Sequence, residues 1–279
     1  MFWTSLTLLS YNNKLKIFRS KVDWGHSFQE LITLWEKKGL CEVVETKEQC
    51  SWAEELGGVL LYEHDGLSSL PVDWDIALFA NEVYNGSNTS PWIYWPKYPK
   101  KMADSINEFG IYNFDQRNIS SIFLGKVQNT TQLEKRTSKN WNESVEVFSM
   151  PIELNGKSEY KTPYEDYLSQ IRNSKFGLCL SGCSLKSSRE IELMASGTVP
   201  IFTENVDNKY FEPLRENYHY FYAEHPQQVE DIINSCSKEQ WREMSAHCVD
   251  WYFRNASIEG SFETTEYVIQ ELRKEKNGS

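Results

Sequence analysis

Between Ser174 and Pro200 the chain reads SKFGLCLSGCSLKSSREIELMASGTVP, and most of its candidate chemistry lies there. A short apolar run, Phe176 to Leu180, reads as a buried strand. Ser181, Gly182, Cys183 and Ser184 follow as a loop of small residues. A helix is expected to open at Ser187 or Ser188, where a hydroxyl can cap an orphan backbone N–H. The free amides and dipole at such a helix start favour an anion. Arg189, in the first turn, adds a permanent and bidentate positive charge suited to a diphosphate. Glu192, three residues on and nearly on the same face, can accept the two hydroxyls of a ribose. The plainer alternative is a Ser-x-x-Glu capping box with Arg189 as a surface charge, and pattern alone leaves both open.

A second candidate is SIFLGK, Ser121 to Lys126, which ends an apolar strand. Gly125 would let a phosphate approach the backbone, and Lys126 could reach it. Arg136, on the helix behind that loop, is a further phosphate candidate or else a solvated face residue. Asp73-Trp74-Asp75 is a DxD pair of the kind that holds a divalent ion, but its apolar run, IALFA, comes after it. In a parallel sheet that puts the pair at the wrong end of the strand, so no metal is expected. Trp92 to Lys101, WIYWPKYPKK, can line an acceptor groove with aromatic faces or form a half-buried strand before a proline turn.

These residues need elements to hold them. Apolar runs alternate with helical stretches along the whole chain: LKIF, CEVVE, GVLLYEH, DIALF and WIYW read as strands in the first half. SSIFLG, VEVFSM, KFGLCL, TVPIFT and HYFYA do so in the second, with helices between them. The alternation predicts parallel βαβ units, hence an α/β fold of two Rossmann-like, doubly wound domains with a cleft between them. The boundary is placed between residues 113 and 114, giving an N-terminal domain of 1–113 and a C-terminal domain of 114–279 that includes the terminal helices. From Lys238 the chain reads as helical throughout, with a weak point near Gly260. Ligands of open α/β sheets sit at the carboxyl ends of the strands, so chemistry is expected just after each strand.

Composition narrows the function classes. With 279 residues there is enough chain for two lobes. A net charge of −11 and the lack of a basic stripe disfavour nucleic acid as partner. None of the six cysteines forms a CxxC pair, so free thiols in a reducing compartment are expected rather than a zinc framework. The N-terminal apolar stretch is too short to span a bilayer and lacks a basic flank, so neither signal nor anchor is expected, and the protein reads as soluble and cytoplasmic.

The Ser174–Pro200 segment resembles exostosin-like glycosyltransferases. Ser174, Phe176, Leu178, Gly182, Ser187, Arg189, Glu192 and Pro200 stand at the family's spacings, and Tyr167 and Leu168 fit the helix before them. The resemblance is strong in this segment, weaker in the rest of the C-terminal half, and one of layout only before it. It implies a GT-B fold and metal-independent, inverting transfer of a sugar from a UDP-sugar to a glycan acceptor, with no cofactor. It also implies that Glu192 holds the ribose, while Arg189 and the helix start hold the diphosphate. The family's arginine-rich loop is here Cys183, Ser184 and Leu185, with Lys186 as its one basic residue. The length is most similar to the soluble exostosin-like enzymes of chlorella-infecting viruses, which implies UDP-xylose as donor, a glycan such as a glycoprotein N-glycan as acceptor, and a host cytoplasm.

Inverting transfer needs a base on the acceptor hydroxyl. Asp23 and His26 follow the first strand, and Glu63, His64 and Asp65 follow the third. Asp23, His26 and Asp65 are the base candidates. The segment from Phe148 to Ile152 lies where a uracil ring would pack in such folds. Two other readings stay open: a metal-dependent GT-A-type transferase using Asp73 and Asp75, and a non-catalytic glycan-binding protein on a transferase fold.

Overall fold

A computed structural model describes residues 15–20, 26–46, 59–62, 76–80, 89–154, 162–180, 186–204 and 210–278. In the first half these form β1 (Leu15–Ser20), α1 (His26–Lys37), β2 (Cys41–Thr46), β3 (Val59–Tyr62), β4 (Ile76–Phe79), β5 (Thr89–Pro91) and α2 (Pro99–Phe109). β1 pairs with β2, and β3, β4 and β5 form a second ladder in that order, every pairing parallel.

The second half begins with β6 (Ile119–Leu124), α3 (Thr130–Thr137), β7 (Val147–Ser149), α4 (Tyr164–Arg172) and β8 (Ser174–Cys179). α5 (Ser188–Ala195), β9 (Val199–Phe202), β10 (Phe221–Tyr222), α6 (Pro226–Ser235), α7 (Lys238–Asn255) and α8 (Ile258–Gly278) complete it. Its five strands lie in the order β10-β9-β8-β6-β7, all parallel. Counted from β6 this is the 2-1-3-4-5 order, in which the winding direction reverses between the first and third strands. That switch point falls between β6 and β8.

Alternation along the strands explains the doubly wound form. Ile122 and Leu124 of β6, Cys179 of β8 and Phe202 of β9 enter one cluster with Leu168 and Ile171 of α4 and Ile191 and Met194 of α5. Phe123, Phe176, Leu178, Val199 and Ile201 face the other way, onto Val229 of α6 and Trp241 and Met244 of α7. Gly177, on the α5 side of β8, brings that helix close. A Cβ there would stand 2.4 Å from Leu193 Cδ2, so a larger residue would push α5 off the sheet.

The first half has its own core of Phe28, Leu31, Ile32, Trp35, Ile76, Leu78, Trp92 and Trp95. α7 packs on the second sheet. α8 instead carries Ile258, Phe262, Val268 and Ile269 into the first-half core. Trp35 Nε1 donates to the Ile258 carbonyl at 2.8 Å and to Ser261 Oγ at 3.0 Å, and Trp92 Nε1 donates to Thr265 Oγ1 at 2.7 Å. The last helix thus ties the two halves together.

Two details differ from the sequence-based expectation. The WIYW segment is no strand: β5 ends at Pro91, and Trp92 to Trp95 run on as irregular chain with both tryptophans fully buried. Burial of those rings, with the Nε1 of Trp92 satisfied by α8, outweighs extension of the ladder. The break between the terminal helices lies at Ala256 and Ser257, ahead of Gly260, because Ser257 Oγ accepts the Gly260 N–H at 3.0 Å and starts α8.

Candidate functional site

The carboxyl ends of β6 and β8 and the start of α5 meet at the switch point. α5 begins as the sequence leads one to expect, with Ser187 as N-cap in extended conformation and Ser188 as first helical residue. The Ser187 hydroxyl makes no capping bond to a backbone amide. It donates to Glu190 Oε1 at 3.4 Å instead, so the opening amides of α5 are left without that cap.

Arg189 crosses the switch. Its Nε donates to the Leu124 carbonyl, the last of β6, at 3.1 Å, and its guanidinium lies 4.7 Å from the centre of the Phe123 ring. The side chain is half-buried, and no described residue takes a hydrogen bond from Nη1 or Nη2. Gly125 makes this possible: a Cβ there would meet Nη2 at 2.4 Å and Phe123 Cζ at 2.9 Å. Arg189, Gly125 and the start of α5 are therefore brought together.

The loop after β6 is braced from behind. The Gly125 N–H donates to the Ser149 carbonyl at 3.0 Å and the Val127 N–H to the Pro151 carbonyl at 2.9 Å. Arg136, read from sequence as a phosphate candidate, is buried and donates from Nη1 to the Lys126 carbonyl at 2.5 Å. Its place is under the loop, because a buried guanidinium needs acceptors and the turn's carbonyl supplies one. The Lys126 ammonium, 34% exposed, lies 3.4 Å from Glu153 Oε2. Phe148 stacks on Phe123 at 5.1 Å between centres, and Ile152 and Leu154 beyond it are exposed apolar residues at 56% and 40%.

Glu192 requires a correction. It is buried, and both its oxygens are engaged within the protein. Oε1 accepts from the Tyr164 hydroxyl at 2.7 Å and the Lys97 N–H at 2.9 Å, and Oε2 accepts from the Tyr167 hydroxyl at 2.8 Å. Burial pushes its pKa up, against the lowering effect of these donors. The ribose role read from spacing does not fit this arrangement. Glu192 joins α5 to α4 and to the chain ahead of α2, and the signal for it was the Tyr-x-x-Tyr pair at one helical turn.

Glu190 and Lys186 were not singled out as a pair by the sequence. Glu190 is buried, and burial raises its pKa to about 7 despite the Ser187 N–H, Arg189 and Lys186. Tyr210 OH lies 3.5 Å from its Oε2. Lys186, 2% exposed, reaches the Ala80 carbonyl beyond β4 at 2.9 Å and packs 4.4 Å over the Tyr210 ring.

The Trp92–Lys101 segment does not line a groove with its tryptophans, since Trp92 and Trp95 are core residues. His26 opens α1. Its side chain lies outside the described residues, as do Asp23, Glu63, His64, Asp65, Asp73, Asp75, Ser181 and Gly182. Cys179, Cys236 and Cys248 are free thiols. No helix among the described residues is long and apolar enough to cross a membrane.

No known family profile matches the chain, and no curated protein matches it in sequence. It is similar to the structure of a glycosyltransferase from Rickettsia africae ESF-5, with 10% identity, 95% of this chain and 100% of that one covered, and a TM-score of 0.48. Another similar structure is the C-terminal domain of a glycosyl transferase group 1 family protein (LpcC) from Francisella tularensis, at 12% identity, 87% and 86% coverage and a TM-score of 0.29. A third is the wall teichoic acid polymerase TagF, H444N variant, at 9% identity, 94% and 89% coverage and a TM-score of 0.34.

Proposed function

We propose that this protein is a glycosyltransferase of GT-B type that holds the diphosphate of a nucleotide-sugar at the β6/β8 switch point. One observation carries the reading. Arg189 is fixed through Nε at the carboxyl end of β6, beside Gly125 and the uncapped start of α5, and its two outer nitrogens meet no acceptor among the described residues. Fixed donors at a helix start are what a departing diphosphate needs. The resemblance of the Ser174–Pro200 segment supplies the finer reading: a UDP-sugar donor, UDP-xylose first, inversion at the anomeric carbon and no metal. Phe148, Ile152 and Leu154 offer the base an apolar surface.

In this mechanism the base, one of Asp23, His26 or Asp65, takes the proton of an acceptor hydroxyl. The freed oxygen forms a bond to the anomeric carbon as the bond from that carbon to the diphosphate oxygen breaks. UDP leaves with the electron pair, and Arg189 with the α5 amides stabilises the charge that develops on it. Ser187 and Ser188 stand at the same helix start, and Ser181 and Gly182 precede it in sequence. The experiment is to incubate the protein with UDP-sugars, an oligosaccharide acceptor and a chelator and follow UDP release. Release with one sugar supports the reading. Release that needs manganese would move the chemistry to Asp73 and Asp75.

A further inference from the structure

Beyond the donor site, we infer that Lys186 is a positioning residue that latches the loop ahead of α5 to the first-half sheet and so sets the width of the cleft. Lys186 immediately precedes the α5 N-cap. Its ammonium donates to the buried Ala80 carbonyl, a contact between residues 106 apart in sequence. Ala80 directly follows β4, so the contact joins the carboxyl end of a first-half strand to the start of the helix that carries Arg189.

The contact is built, not incidental. A lysine side chain with 2% exposure has left water, and it remains charged only if its donors find acceptors or π-faces. A carbonyl at 2.9 Å and the Tyr210 ring at 4.4 Å supply both. Tyr210 is in turn held in place. Its ring packs edge-on against Trp251 at 5.2 Å between centres, and its hydroxyl points to Glu190 on α5. Glu190 also accepts from Ser187, so the latch closes on the helix start itself.

A second tie lies further along the same helix, where Glu192 accepts the Lys97 N–H. α5 is thus pinned to the first half at two points. Lys97 holds it through the backbone ahead of α2, and Lys186 holds it beside its N-cap through the Ala80 carbonyl. Removal of the Lys186 charge should therefore release this contact without unpacking the helix.

The test is hydrogen exchange on the full-length, ligand-free chain, comparing wild type with Lys186→Met and Lys186→Arg. Methionine keeps the length and removes the charge. We expect Lys186→Met to speed exchange of the β4 amides and of the first turn of α5 by roughly tenfold or more, as loss of a charge-assisted hydrogen bond implies. β8 and β9 should keep wild-type protection, and Lys186→Arg should restore most of that lost by β4. In turnover, Lys186→Met should raise the acceptor KM and lower kcat by more than it weakens UDP binding. Unchanged exchange in β4 would overturn the inference. So would faster exchange spread evenly over both sheets, which marks a core residue only, or loss of UDP affinity without a change in exchange, which marks a donor ligand. The kinetic part rests on the proposed transferase reading. The exchange part needs no substrate, so a wild-type protein that ignores UDP would sink that reading and leave the latch to be judged separately.

Discussion

The Arg189 guanidinium lies in the space that a side chain at Gly125 would fill, with Nη2 2.4 Å from where its Cβ would stand. Gly125 directly follows β6 and Arg189 sits in the first turn of α5, and the reversal of winding between β6 and β8 brings them together. The glycine after β6 serves an arginine of the protein as well as any ligand backbone contact.

Gly125→Ala should therefore act through Arg189. The added methyl displaces the guanidinium or the Phe123 ring, at a stability cost of about 1–3 kcal/mol. UDP affinity should fall by roughly tenfold to a hundredfold, the worth of a charge-assisted hydrogen bond. Calorimetric titration alongside a urea unfolding curve checks this. Full UDP affinity in a folded Gly125→Ala protein would remove Arg189 from the donor site.

Glu192→Ala should damage the fold rather than the donor site. It strands the Tyr164 and Tyr167 hydroxyls on α4 and the Lys97 N–H ahead of α2, three partly buried donors. An unfolding free energy lower by about 3 kcal/mol or more is expected. Urea denaturation measures it, and a stability within error of wild type would contradict the role assigned here.

Glu190 gives a pH dependence with a defined sign. Its folded pKa, about 7, lies above the ordinary 4.5, so between those values the folded state binds more protons than the unfolded one. Stability from this group is present at pH 4.5 and below and is lost as the pH rises through 7. Glu190→Gln stays neutral throughout. Relative to it, wild type should lose up to about 3 kcal/mol between pH 5 and 8. Unfolding curves of both proteins across that range decide, and parallel pH profiles would refute the buried-carboxyl account.

Much of the second half was legible in the sequence because β6, β8 and β9 are short apolar runs separated by helical spacing, and the start of α5 followed from Ser187 and Ser188. The tryptophans of WIYW were harder. Pro91 ends the ladder, and only the arrival of α8 from 173 residues away explains where Trp92 goes. Glu192 was misread for a similar reason. Its spacing to Arg189 suggests a shared ligand, but its partners lie 25, 28 and 95 residues away and are fixed by tertiary packing. Lys186 was visible as a loop cation, whereas its carbonyl partner was not.

Trp35→Phe isolates the tie made by α8. Phenylalanine keeps the ring in the core and removes the donor to Ile258 and Ser261. A loss of about 1 kcal/mol is expected, since Ser261 Oγ still donates to the Ile258 carbonyl. Exchange of α8 amides should rise while β8 stays protected. A change confined to α1 would show that α8 is held by other contacts.

The central claim is that Arg189 and the start of α5 bind a nucleotide diphosphate. Thermal unfolding of wild type and Arg189→Ala, each with a chelator and a panel of nucleotides and nucleotide-sugars, tests it most directly, since a ligand that binds only the folded state raises the midpoint. The account predicts a rise for wild type with UDP and one UDP-sugar, and none for an Arg189→Ala protein that unfolds at the wild-type temperature when free of ligand. Equal shifts in both proteins, or a wild-type shift that appears only after manganese is added, would contradict it.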